Sequence, residues 1–162
     1  MKKISIALIL INLLILLIYF NYSVVKKENM LNDGQLILLE LAPVDPRSLM
    51  QGDYMQLNYR LTEEPDLSKL PRRGYCVLQI DKQHVAKTAR LQANKTPLNP
   101  GEILIAYTRP DEWRLNIGAE SFFFQEGTGE RYEQAKYGAL KVDQDGNSLL
   151  VGLYDQHKKQ IK

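Results

Sequence analysis

Two patterns of apolar positions divide the chain. From Ile4 to Val25 it reads ISIALILINLLILLIYFNYSVV without one charge, and after Gly34 the apolar residues come in short, mostly alternating stretches. An uncharged helix of that length, at ~1.5 Å per residue, crosses a ~30 Å hydrocarbon core. Tyr19, Phe20 and Tyr22 gather at its C-terminal end, where amphipathic rings settle at a membrane interface. The run is longer than the apolar part of a secretory signal peptide. Its exit, Asn21-Tyr22-Ser23-Val24-Val25-Lys26-Lys27, has no small-x-small cleavage site. Residues 1–25 are therefore expected to form an uncleaved anchor. Lys2, Lys3 and the terminal amine flank one side, and Lys26 and Lys27 the other. This slightly favours an inside N-terminus, and the expected location is the inner membrane, with the C-terminal domain extracytoplasmic, in the periplasm. Asn12, in mid-span, is a candidate hydrogen-bonding contact to the helix of a multi-pass partner.

Residues 26–34 are polar and read as a linker, 35–155 as one domain and 156–162 as a polar tail. Within the domain the pattern predicts strands at Leu36–Leu41, Tyr54–Leu61, Tyr75–Asp81, Val85–Ala93, Ile103–Thr108, Trp113–Ile117, Phe122–Phe124, Ala139–Val142 and Leu149–Tyr154. Short strands at this spacing, split by turn residues, imply a mainly β domain, an antiparallel sandwich or barrel-like fold. Asp145-Gly146 reads as a two-residue hairpin turn. It would set Leu140, Val142, Leu149, Val151 and Leu153 on one face, opposite Lys141 and Asp143. A second turn near Lys82–His84 would set Val85, Ala89 and Leu91 together. One short helix is expected over residues 128–136, with acids early, a lysine late and Gly138 after it.

Charge changes this picture little. Lys plus Arg number 21 against 19 Asp plus Glu, a net +2, so no strong field points to nucleic acid. Cys76 is the single cysteine, inside an apolar run; it suits a small core residue and neither an intramolecular disulfide nor a cysteine metal cluster. The two histidines, His84 and His157, have no metal-site spacing, and no cofactor motif is present.

The most distinctive stretch is Asp45-Pro46-Arg47-Ser48-Leu49-Met50-Gln51-Gly52-Asp53-Tyr54-Met55-Gln56-Leu57-Asn58-Tyr59. Strand alternation puts Met55, Leu57 and Tyr59 on one face and Tyr54, Gln56 and Asn58 on the other. Gly52-Asp53-Tyr54-x-x-Leu57-x-Tyr59 resembles the signature of the bacterial GDYXXLXY family at each fixed position. Phe123-Phe124-Gln125-Glu126-Gly127 followed by Glu133 is similar to that family's second landmark, with Gln125 a departure. The resemblance implies a membrane-anchored protein, often encoded beside multi-pass membrane proteins, and it brings no activity with it. Asp45, Arg47, Asp53, Tyr54, Tyr59, Glu126 and Glu133 form the candidate binding patch, for a partner or a small envelope ligand.

A catalytic alternative starts from Ser48 before Gly52-Asp53, a partial resemblance to type I signal peptidases, which are Ser/Lys hydrolases on a membrane-anchored β domain. The Pro-Thr expected after the serine is missing. The base would be a lysine of a later strand, Lys82 or Lys87. The leading expectation is a binding or accessory module that sits in the bilayer beside a multi-pass protein.

Overall fold

The computed structural model describes residues 2–42, 54–61, 70–111, 114–125 and 127–162. Helix α1 runs Lys2–Asp33. Its apolar part is long enough to cross a membrane, and none of that part is covered by the rest of the chain. The helix continues through the stretch expected as a linker. Lys26, Lys27, Glu28, Met30 and Leu31 are good helix formers, and no Gly or Pro precedes Gly34. At Gly34 the helix stops and the domain begins. The Gly34 N–H donates to the Met30 carbonyl at 3.0 Å, and Lys141 Nζ donates to the Gly34 carbonyl at 2.8 Å. A Cβ on residue 34 would lie 2.4 Å from the Met30 oxygen, which only glycine avoids.

The domain is mainly β, a curled half-barrel sheet with one short helix. Its strands are β1 (Gln35–Glu40), β2 (Tyr54–Gln56), β3 (Arg73–Ile80), β4 (Val85–Gln92), β5 (Glu102–Thr108), β6 (Ser121–Phe123), β7 (Tyr137–Val142) and β8 (Ser148–Tyr154), with helix α2 (Gly129–Tyr132) after β6. Six strands form the order β5-β3-β4-β1-β7-β8, and β2 pairs with β6 apart from them. All pairs are antiparallel except β1 with β4. The curl brings the two edges of the sheet close. Ala106 N–H of β5 donates to the Gly146 carbonyl in the β7–β8 turn at 2.8 Å. Asn116 pairs with Thr108, and Ser148 Oγ donates to the Ile117 carbonyl at 2.8 Å, so the segment after Arg114 bridges β5 and β8. The strand expected at Trp113–Ile117 is reduced to that bridge over its described part. The expected helix shrinks to one turn.

The concave face carries the main core, with Ile37, Leu39, Cys76, Leu78, Ile105, Tyr107 and Leu140 each at most 2 % exposed. Each large apolar side chain so buried contributes about 1.5–3 kcal/mol. Cys76 is one of them, and burial pushes its thiol up to about 11. Leu38, Val85 and Ala139 form a small cluster on the other face.

Two bulges revise the expected faces and supply the curl. Val77 pairs with Arg90 but Leu78 with Thr88, which leaves exposed Ala89 out of the ladder. Val85 therefore joins the outer cluster while Leu91 packs on the concave core. In the last hairpin Val142 pairs with Ser148, Lys141 with Leu149 and Leu140 with Leu150, whereas Ala139 pairs with Gly152. The loop has three residues rather than two, with Gly146 left-handed at φ 85°. This moves the register by one, and a bulge at Val151 moves it back. Leu150, not Leu149, consequently packs with Leu140 in the core, and Val151 packs on the outer cluster.

The same turn occurs three times among the described residues, opened by Asp81, Asp143 and Asp155. In each, the Asp N–H donates to the carbonyl four residues on at 3.0 Å: Val85, Asn147 and Lys159. The fourth residue is left-handed in each: His84 at 62°, Gly146 at 85°, Lys158 at 61°. In each, Oδ1 accepts two backbone N–H groups, from Gln83 and Val85, Asp145 and Asn147, or His157 and Lys159. The segment expected as a polar tail is thus a third hairpin. Ile161 N–H returns to the Leu153 carbonyl at 2.9 Å, and Lys158 Nζ bonds Gln83 Oε1 of the first turn.

Candidate functional site

The signature stretch splits between surface and core. On β2, Tyr54 and Gln56 are exposed while Met55 is buried, and Leu57 just beyond is 0 % exposed. Tyr59 pairs with Leu41 at the end of β1. Its ring lies on Gly138, where a Cβ would come within 2.8 Å of Cε1. Its hydroxyl donates to the Ala119 carbonyl at 2.6 Å. Burial, with the Glu120 carboxylate adding to it, raises the phenol well above its usual range. Leu57 and Tyr59 thus fasten the β2 segment to the sheet.

Tyr54 faces outward and meets Phe123, which is 74 % exposed, with ring centroids 5.8 Å apart. Behind this pair stands an aromatic cluster. Phe122 meets Tyr132 of α2 edge-on at 4.9 Å, and Phe124 meets Tyr132 at 5.6 Å. Tyr54, the first residue of β2, opposes Phe123, the last of β6. The chain therefore enters β2 and leaves β6 at one end of the small sheet. Glu133 is exposed and closes α2 just after Tyr132. Asp45, Arg47, Ser48, Asp53 and Glu126 lie outside the described residues. Lys87 is exposed on the outer face of β4, apart from the core that would desolvate a catalytic lysine. Asn12 is exposed on α1.

A cleft of about 640 Å³ lies at the opposite end of β1, between the last turns of α1, the start of β5 and the β7–β8 turn. The length of β1, ~20 Å at ~3.3 Å per residue, separates it from the Tyr59 end. Ion pairs frame it. Arg90 grips Glu102 through two hydrogen bonds of 2.6 and 2.9 Å, which with the Asn99 N–H hold that carboxyl down at about 2. Lys95 pairs with Asp145 at 2.7 Å and lowers its carboxyl. Reading residues 26–34 as a linker hid this cleft. The helical spacing of Lys26, Asn29, Met30 and Asp33 is the signal that reveals it.

The GDYXXLXY protein family model matches residues 16–153, from the second half of the apolar helix to the last strand. The chain belongs to the GDYXXLXY family. No curated protein and no solved structure matches it. In this GDYXXLXY protein, then, the last two fixed positions of the signature are packing residues. Its tyrosine at position 54 heads an exposed aromatic pair.

Proposed function

We propose that this GDYXXLXY protein is an accessory binding module of an inner membrane. In this reading α1 spans the bilayer with its N-terminus in the cytoplasm, and the β domain stands in the periplasm. The observation that carries the reading is the apolar helix, whose spanning window is 0 % buried by its own domain. A surface so apolar must be covered by lipid or by another helix. Asn12 lies on it, and an interhelical bond from such a side chain contributes about 0.6–2 kcal/mol. The partner is a multi-pass membrane protein, of the kind often encoded beside members of this family. Because α1 enters β1 through Gly34 alone, a partner that fixes the helix also orients the domain. The Tyr54–Phe123 surface then points away from the bilayer as the second contact.

The test is co-purification in mild detergent with the multi-pass protein encoded next to it. Association that weakens in Asn12→Leu is the expected result. A chain that runs alone in both forms would sink the proposal. Protease added to intact spheroplasts should remove the β domain; protection would reverse the orientation.

A further inference from the structure

The cleft beside α1 has a volume within the ~300–1,000 Å³ of ordinary ligand sites. Its floor is apolar, with Met30, Leu104 and Val142 buried. Its wall on α1 is one stripe, Lys26, Asn29, Met30 and Asp33, at the spacing of a single helical face. Most acids on the rim are committed. Glu102 holds Arg90, Asp145 holds Lys95, and Asp143 caps its own turn. Lys26 and Asp33 are exposed and make no hydrogen bond or close ion pair among the described residues, although the Lys26 charge reaches Asp145 across the cleft and helps lower its carboxyl. Asp33 also stands at the C-terminal end of α1, where the helix dipole adds to its pull on a cation.

Order along the helix gives these two charges a meaning. Lys26 is the first charge after the Ile4–Val25 run, and Asp33 lies two turns on, ~10 Å further from that run. We infer that the cleft takes the headgroup of a zwitterionic phospholipid bearing a primary ammonium. Lys26 receives its phosphate and Asp33 its ammonium, so the acyl chains leave on the Val25 side of Lys26, toward the bilayer. A primary ammonium donates hydrogen bonds to Asp33; a quaternary ammonium has none to give. The inference rests on the membrane-anchored reading above.

The full chain is reconstituted into vesicles of phosphatidylethanolamine and phosphatidylcholine in equal parts. It is then re-extracted in mild detergent and examined by native mass spectrometry for retained lipid. Phosphatidylethanolamine is expected to be retained over phosphatidylcholine by about tenfold, the scale of one charge-assisted hydrogen bond. Asp33→Asn should lose that preference, and Lys27→Gln, outside the cleft, should keep it. A chain that inserts yet retains both lipids equally or neither overturns the inference and leaves the anchor reading standing, as does an unchanged preference in Asp33→Asn. A chain stripped from the vesicles by alkaline carbonate overturns the anchor reading, and this inference with it.

Discussion

The Tyr59 ring rests against the α-carbon of Gly138, close enough that any side chain there would enter the ring. The main sheet repeats the device. Gly74 of β3 pairs with Tyr107 of β5, and a Cβ on it would come 2.7 Å from the Tyr107 hydroxyl. In each case a strand glycine makes room for a tyrosine, so glycine and tyrosine act as one unit.

Gly138→Ala should therefore destabilise the domain by about 1–3 kcal/mol through overpacking. Tyr59→Phe should cost about 1 kcal/mol, because the Ala119 carbonyl loses its donor. Since both act on the same ring, the double variant should fall short of additivity. Near-UV circular dichroism of the full chain in detergent, followed through a thermal melt, measures all three.

The three Asp turns give a prediction of opposite sign. His84 and Lys158 hold left-handed backbone that non-glycine residues adopt at a cost. His84→Gly and Lys158→Gly should leave stability unchanged or raise it by up to about 1 kcal/mol, since relief of strain exceeds the entropic cost of glycine. Gly146→Ala at the equivalent position should lower it by about 1 kcal/mol. A gain from Gly146→Ala in the same melts would refute the shared geometry.

These turns also show what the sequence made legible. Alternation located β1, β3, β4, β5, β7 and β8 within a few residues, because each has a buried face that demands it. It failed on faces near Ala89 and Val151, since a bulge is decided by how far the sheet must curl and leaves no residue-type signal there. The Asp-x-x-x-x frame was present three times. Residue types alone separate the three into one glycine turn, one polar turn and a tail, because only Gly146 carries the usual marker of left-handed backbone. The signature residues were visible at once, and alternation alone sets Leu57 and Tyr59 on the face opposite Tyr54; which face is buried is decided by Ala119 and Gly138 at Tyr59 and by Phe123 at Tyr54. The cleft is hard to read from sequence because residues 26–33 are mostly polar, with only Met30 and Leu31 to mark a helical phase.

Acid should destabilise the domain, with Glu102 at the cleft a principal contributor. Arg90 and the Asn99 N–H hold the Glu102 carboxyl at about 2, below its ordinary 4.5. A carboxyl lowered by folding stabilises the fold fully above its unfolded value, and the stabilisation is lost as pH falls through the folded value. The Glu102 contribution is thus complete above about pH 4.5 and drains away toward pH 2. Asp81 and Asp155, lowered chiefly by the Val85 and Lys159 N–H groups, and Asp145, lowered by Lys95, act in the same direction. Melting temperature against pH should fall across that window, and Glu102→Gln should flatten the slope. An unchanged slope in Glu102→Gln would place the acid sensitivity elsewhere.

The signature itself offers the sharpest separation of packing from contact. Leu57 is completely enclosed, so Leu57→Ala should cost about 2–5 kcal/mol, transfer and cavity together. Tyr54 is 38 % exposed and Phe123 74 %, and their rings meet each other, so Tyr54→Ala and Phe123→Ala should each shift stability by only about 0.5–1.5 kcal/mol. Exposed aromatic pairs are costly surfaces to keep in water, and aromatic residues are enriched among those that carry binding energy. Under the accessory-module reading, Tyr54→Ala should cut partner recovery in detergent several-fold at unchanged melting temperature, whereas Leu57→Ala lowers recovery only in step with unfolding. If Tyr54→Ala and Phe123→Ala bind the partner as the parent does, the contact lies elsewhere on the domain, and Tyr54 is in the signature for its place on β2 alone.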